Sequence, residues 1–139
     1  MKWYNERLDE IKSREPMISA CGDNCSLCPR YLARSDEELH ETAVFWYKIG
    51  WRDRIVSNEE IRCGGCGSTP GCGFMILPCQ KEMGVSNCRE CARFCCDRLE
   101  NVVKSSEENE ADLRELCDSN EEAQMLRRYC YEKRKNLGI

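Results

Sequence analysis

The sequence predicts a small, mainly α-helical protein in which helices alternate with irregular, cysteine-rich loops. Three observations support this class. Helix-capping patterns precede several segments that carry apolar residues at helical spacing. Thirteen of the 139 residues are cysteine, and eight of these fall between Cys63 and Cys96. Without the cysteines, apolar residues make up only about 32% of the chain, which is lean for a domain of this size.

Helices are predicted on both sides of the first cysteine group. Residues 3–14 show helical spacing of apolar residues, and Pro16 ends that segment. Ser35 and Glu38 form a capping box for a helix that ends at Gly50. Further helical segments are predicted at 58–61, 79–83 and 88–102.

The only histidine, His40, lies on the helix that follows Ser35. No second histidine or cysteine stands one turn away to complete a local site. We therefore interpret His40 as an exposed or half-packed residue rather than as a ligand or a general base.

The composition changes after residue 104. Cysteines thin out to Cys117 and Cys130, which we interpret as small buried residues, while charged residues become frequent. We expect a cysteine-rich domain with an N-terminal helix over residues 1–104, and a C-terminal helical extension over residues 105–139 that packs on it. The pattern Ser119-Asn120-Glu121-Glu122 predicts the capped start of a final helix, whose basic end is interpreted as a solvated face.

Two cysteine pairs have the spacing of a zinc knuckle. In Cys63-Gly-Gly-Cys66 and in Cys88-Arg-Glu-Cys91, two intervening residues allow both thiolates to hold one metal ion from a tight turn. Glycines after Cys63 permit the backbone angles that such a turn requires. The loops are therefore predicted to be metal-binding, of the zinc-knuckle or zinc-ribbon kind.

A third group, Cys21, Cys25 and Cys28, places three thiols on one loop. The same spacing occurs in the iron-sulfur site of radical enzymes that cleave S-adenosylmethionine. Those enzymes need a barrel of strands and helices that 139 residues are too few to build. A zinc site that takes its fourth ligand from elsewhere needs no barrel, so we favour zinc here.

Charge and hydropathy exclude some classes of function. The formal charge is −4, and each four-thiolate zinc site would add −2, which argues against general nucleic-acid binding. The longest apolar run has five residues, against about 20 for a membrane-spanning helix, and residues 1–15 lack the apolar core of a signal peptide. We expect a cytoplasmic protein with reduced thiols. A protein partner remains open, and so does the oligomeric state.

The order of these motifs resembles a known family. Cys21-Gly-x-x-Cys25-x-x-Cys28-Pro-x-Tyr31 is followed by Cys63-x-Gly-Cys66, and then by Cys79-x-Lys-Glu-x-Gly84-Val-x-Asn-Cys88-x-x-Cys91-x4-Cys96-x-x-Leu99. This pattern is similar to the small cysteine-rich prokaryotic proteins that carry the domain of unknown function numbered 3795. The resemblance implies zinc binding and no established activity. It implies a ligand pool of Cys21, Cys25, Cys28, Cys63, Cys66, Cys79, Cys88, Cys91 and Cys96, with Cys72 a less secure member.

Two departures from the family pattern leave choices open. Phe94-Cys95-Cys96 stands where the family has Tyr-Pro-Cys, so Cys95 is an extra thiol and either Cys95 or Cys96 could be the ligand. Ten thiols also exceed the eight that two tetrahedral zinc sites use. We predict two zinc ions, one held by the pairs Cys63/Cys66 and Cys88/Cys91. The other would be held by Cys21, Cys25, Cys28 and either Cys79 or Cys96.

These residues predict a zinc-binding structural or interaction module with no catalytic residue. One alternative is an iron-sulfur electron carrier or sensor, since thiolates at these spacings also hold clusters. Another is an enzyme that uses an open zinc site or a reactive thiol such as Cys95. No phosphate-binding glycine loop and no Ser/His/Asp arrangement is present in the sequence, so we lean away from an enzyme.

Overall fold

The computed structural model describes residues 1–65 and 76–139, and the regular secondary structure in these two ranges is helical. They contain one isolated β-bridge, between Ile18 and Asn24. This confirms the predicted mainly α-helical class. The helices are α1 (Lys2–Glu6), α2 (Leu8–Lys12), α3 (Pro29–Leu32), α4 (Asp36–Lys48), α5 (Asn58–Ile61), α6 (Ile76–Met83), α7 (Asp97–Glu108), α8 (Asn120–Cys130) and α9 (Lys133–Leu137), with 3₁₀ turns at Cys25–Leu27 and Cys88–Glu90.

The predicted helix over residues 3–14 is instead two short helices, α1 and α2, that meet at Arg7. The Arg7 backbone leaves the helical region, with φ −107° and ψ 14°. Its guanidinium donates to the Leu32 carbonyl and the Glu38 carboxylate, and lies 5.1 Å from the centre of the Trp3 ring. The chain thus turns where Arg7 contacts residues that are distant in the sequence. Trp3, Leu8 and Ile11 are nevertheless buried, as their spacing predicted.

Helix α4 follows the predicted capping box. The Ser35 hydroxyl accepts a hydrogen bond from the Glu38 amide at 3.2 Å, and α4 ends just before Gly50. His40 is exposed on α4, in agreement with its interpretation from the sequence. The buried face of α4 consists of Leu39, Thr42, Ala43, Phe45 and Trp46.

The described residues form two hydrophobic cores of unequal size. The first core collects side chains from α1 to α5, the first 3₁₀ turn and α8, and all three tryptophans lie in it or against it. Cys117 and Cys130 pack half-buried against this first core. The second core consists of Ile76, Leu99, Val102, Val103 and Leu137.

The predicted continuous helix over residues 88–102 is wrong. A 3₁₀ turn covers Cys88–Glu90, an irregular stretch follows, and α7 begins only at Asp97. The amide of Phe94 donates to the Cys91 carbonyl at 3.1 Å, which closes a turn instead of continuing a helix. As a result, the cysteines of this segment do not form a row along one helix.

The C-terminal region contains α8 and α9. The Ser119 hydroxyl caps α8, as the sequence pattern predicts, because it accepts a hydrogen bond from the Glu122 amide at 3.1 Å. The predicted single final helix divides at Tyr131, and α9 turns towards the second core. Within residues 1–65 and 76–139, no helix has the length and apolar character needed to cross a bilayer.

A pocket lined by four cysteines as candidate metal centre

Four cysteines from separate positions line one small cavity beside the second core. They are Cys79, Cys88, Cys91 and Cys96, and the cavity volume is about 30 Å³. That volume accommodates one or two water molecules or a single metal ion. The rest of the lining consists of Gln80, Met83, Val85, Arg93, Phe94 and Leu99.

Each thiol reaches the pocket from a different structural position. Cys79 lies on α6, Cys88 opens the second 3₁₀ turn, and Cys91 ends it. Cys96 is the N-cap residue of α7, where its side chain makes no capping hydrogen bond. The positive end of a helix dipole stabilises a thiolate at such a position.

The structure distinguishes Cys96 from its neighbour Cys95. Cys96 lines the pocket and is half-buried, whereas Cys95 is exposed, with its sulfur 3.8 Å from the Glu100 carboxylate. The irregular stretch before α7 produces this difference, because it turns adjacent residues to opposite sides. The structure thus favours Cys96 over Cys95 as the fourth cysteine of the pocket.

Two protein N–H groups donate to the pocket sulfurs. The Gln80 side-chain amide donates to Cys88 Sγ at 3.6 Å, and the backbone amide of Arg93 donates to Cys91 Sγ at 3.5 Å. Gln80 is only 7% exposed. Hydrogen bonds of this kind orient metal-binding thiolates and stabilise their charge.

Burial raises the pKa of the Cys88 thiol, and the hydrogen bond from Gln80 opposes this rise. Negative charge on Cys96, Cys79 and Cys91 would raise the pKa of Cys88 further. The four sulfurs are thus close enough to affect one another's ionisation. A cation among them would reverse the repulsion and favour the thiolates.

The pocket surrounds a cavity and is not a closed coordination sphere. Among the residues that the structure describes, no three His, Cys, Asp or Glu side chains converge closely enough to enclose a metal ion. A zinc tetrahedron would bring each sulfur to about 2.3 Å from the metal.

A second group of thiols surrounds the first 3₁₀ turn. Cys25 opens this turn, and Cys28 follows it with 4% exposure. The Cys63 amide donates to the Arg30 carbonyl at 3.3 Å, while Arg30 Nε donates to the Ile61 carbonyl at 2.7 Å. The segment leading to Cys63 is therefore joined to Arg30 of α3, two residues after Cys28. The other predicted ligands in this part of the chain, Cys66 and Cys72, lie outside the described residues.

Burial is also the main influence on Cys28. It raises the pKa of the Cys28 thiol to about 11, and a hydrogen bond from the Tyr129 side chain acts in the opposite direction. Tyr129 belongs to α8, so the C-terminal region contacts this cysteine loop directly.

Cys21 has different surroundings from the other predicted ligands. Its sulfur lies 3.2 Å from the Ser19 hydroxyl and 3.8 Å from the Lys133 ammonium, and Lys133 forms a buried ion pair with Asp23. Burial raises the pKa of the Cys21 thiol to about 11; Asp23 adds to the rise and Lys133 opposes it. The cation next to the Cys21 sulfur is therefore a side chain, the ammonium group of Lys133.

The structure brings together a different set of cysteines from the predicted one. Cys88 and Cys91 share their pocket with Cys79 and Cys96, whereas the Cys63 amide bonds to Arg30 of α3. The prediction had joined the two knuckles because their spacings are alike. The four pocket cysteines all lie between residues 79 and 96, and this proximity in the sequence is the signal that could have grouped them. No sequence signal identified Gln80.

Comparisons with known proteins identify a family for this chain. No curated protein and no solved structure matches the chain significantly. A family model described as "Protein of unknown function (DUF3795)" matches residues 17–101, which is more than half of the chain. The matched range includes the four-cysteine pocket, and the family description names neither a metal nor an activity. The chain therefore belongs to the DUF3795 family.

Proposed function

We propose that the protein is a zinc-binding structural or interaction module, and that Cys79, Cys88, Cys91 and Cys96 hold one zinc ion as thiolates. The observation that carries this proposal is that four cysteines line a single small pocket. Four thiolates in a closed set are typical of structural zinc sites, because zinc accepts soft sulfur ligands in tetrahedral geometry.

Four cysteine thiolates also hold iron-sulfur clusters, so the metal analysis described below distinguishes zinc from iron. The side chains of Met83, Phe94 and Leu99 contribute apolar surface to the lining.

A second zinc ion is proposed at the loop of Cys25 and Cys28. The hydrogen bonds that join the Cys63 segment to Arg30, two residues after Cys28, support Cys63 as a third ligand. Cys66 is the fourth ligand that the knuckle spacing predicts. This assignment uses eight thiols in two sites and leaves Cys21 beside Lys133.

The proposed role of the metal is to stabilise the fold, in a cytoplasmic setting where thiols stay reduced. The second core contains only five buried residues among those described, too few to stabilise α6 and α7 alone. A structural zinc contributes an apparent stabilisation of about 10 to 16 kcal/mol in small peptides. The metal could thus supply most of the stability of this region.

The deciding experiment is native mass spectrometry on protein purified under reducing conditions without added metal. We expect zinc in the wild-type protein, one zinc fewer in Cys96→Ser, and no loss in the matched control Cys95→Ser. Iron with inorganic sulfide in the wild-type protein would favour the cluster alternative. Absence of any metal, or equal loss in both variants, would refute the proposed site.

The second site is tested by Cys63→Ala in the same measurement. We expect this variant to lose one zinc and to keep the other, because Cys63 does not line the four-cysteine pocket. Loss of both ions, or of neither, would contradict the assignment of two independent sites.

A further inference from the structure

Helix α9 contacts both cysteine-bearing parts of the chain. On one side, Lys133 forms a buried ion pair with Asp23, and the Asn136 side chain donates to the Gly22 carbonyl at 2.9 Å. Gly22 lies so close to α9 that an added Cβ would be 2.9 Å from Lys133 Cβ. The loop that carries Cys21 is therefore packed directly against α9.

On its other side, α9 contacts the segments that form the four-cysteine pocket. Arg134 donates to Glu100 and to Glu107, each at 2.9 Å, and both carboxylates belong to α7. Cys96 is the N-cap residue of the same helix. The buried Leu137 adds an apolar contact, because it packs in the second core with Leu99.

A third contact joins α9 to the Cys88–Cys91 turn of the pocket. Arg89, between Cys88 and Cys91, donates to the Asn136 carbonyl at 3.3 Å. Gly138 follows α9 with a φ of +72°, and an added Cβ there would lie 2.8 Å from the Arg89 guanidinium. The end of α9 and the 3₁₀ turn of the pocket thus fit closely together.

We propose that α9 is a clasp for the metal centre: Arg134 and Leu137 position the four-cysteine pocket, so that docking of α9 and metal loading strengthen each other. This inference rests on the proposed zinc function. Arg134 and Leu137 are positioning residues and not ligands, since they act through α7 and the second core.

The physical reason is that neither partner is stable alone. A helix of five residues does not form in water without tertiary contacts, so α9 depends on the surface that receives it. That surface includes Arg89, within the Cys88–Cys96 segment, and Glu100 on α7, the helix whose N-cap residue is Cys96. A metal ion that joins the four sulfurs would hold this segment in its docked form, and linkage requires the reverse effect to be equally large.

Lys135 provides a matched control on the same helix. Its side chain is 79% exposed, and its ion pair is with the neighbouring Glu132. Arg134→Ala and Lys135→Ala remove one cation each from adjacent positions, but only the first removes contacts with α7. Leu137→Ala tests the apolar contact without changing charge.

The test is a competition titration of each variant with Zn²⁺ and a chromophoric chelator, in a Cys63→Ala background that retains the four-cysteine pocket. We expect Arg134→Ala and Leu137→Ala each to weaken zinc affinity about fivefold or more, and Lys135→Ala to leave it unchanged. Hydrogen exchange should show faster exchange of α9 in the metal-free protein. Tryptophan fluorescence verifies folding of the first core, since the three tryptophans lie there.

The outcomes separate this inference from the proposed function. Unchanged zinc affinity in Arg134→Ala and Leu137→Ala, with α9 exchange independent of metal, would overturn the clasp while the zinc site stands. Failure of the parent protein to bind zinc would overturn the proposed function itself. Equal weakening by Lys135→Ala would show a general charge effect and would also refute the clasp.

Discussion

The two cores of this protein are stabilised in different ways. The first core buries nineteen residues from both ends of the described chain, including Tyr4, Ile61 and Leu126 at 0% exposure. The second core buries five and adjoins a pocket of four thiols. Because apolar burial supplies most folding free energy, the first region can fold by ordinary packing, whereas the second requires another source of stability. We therefore expect dependence on the pocket metal to be local to the second region, although the proposed second zinc site adjoins the first core at Cys28.

Metal removal should separate the two regions most clearly. We expect a strong chelator under reducing conditions to remove hydrogen-exchange protection from α7 and α9, and to leave α4 and α8 largely protected. The loss corresponds to the large stabilisation that a structural zinc provides, about 10 kcal/mol or more. Hydrogen exchange with mass spectrometry measures both regions at once. Uniform loss across all four helices would show that the first core also depends on metal.

Shortening a buried side chain of the first core should destabilise that core and should not depend on metal. Leu126→Ala removes a fully buried side chain from α8, and we expect it to destabilise the first core by about 2 to 5 kcal/mol, with or without metal. Gln124→Ala, at an exposed position of the same helix, is the control. Urea unfolding followed by tryptophan fluorescence gives both values. A metal-dependent effect of Leu126→Ala would contradict the independence of the two regions.

A smaller effect is expected at the hydrogen bond to Cys88. Gln80→Leu removes the amide that donates to the Cys88 sulfur, and we expect zinc affinity to fall about tenfold, as is usual for residues that support a ligand. Lys81→Leu, at the exposed neighbouring position, should have no effect. Competition with a chromophoric chelator measures the difference. Similar affinity in both variants would indicate that Gln80 serves packing alone.

The smallest effect is expected at the cap of α8. Ser119→Ala removes a hydroxyl that accepts a hydrogen bond from the Glu122 amide and donates one to the Asn5 side chain. We expect this substitution to destabilise the first core by about 1 kcal/mol. Ser119→Asp keeps a capping oxygen and should recover most of that loss. Zinc content should be the same in both variants. A change in zinc content would mean that α8 influences the metal sites more strongly than its packing indicates.

The predictions from sequence succeeded where local interactions decide the structure. The caps at Ser35 and Ser119 involve a side chain and an amide three residues away, so a short pattern contains the whole interaction. The burial of Trp3 and Ile11 likewise followed from local spacing. The family resemblance, carried by the order of the cysteines, was confirmed by the match over residues 17–101.

The predictions failed where distant contacts decide the structure. The break at Arg7 depends on Leu32 and Glu38, which a local pattern does not include. The continuous helix through Cys88 was wrong because the chain turns at Cys91, where the Phe94 and Arg93 amides bond to the Cys91 carbonyl and sulfur. Helix periodicity could not indicate this turn.

The sequence by itself determined the helical class, the family and the supply of thiols, since these follow from composition, spacing and short-range hydrogen bonds. Only the tertiary structure decided that Cys79 and Cys96 share a pocket with Cys88 and Cys91, and that Cys95 does not. The physical reason is that a pocket depends on the path of the whole chain. Here the position of Cys79 on α6 and the turn before α7 bring the four thiols to one pocket.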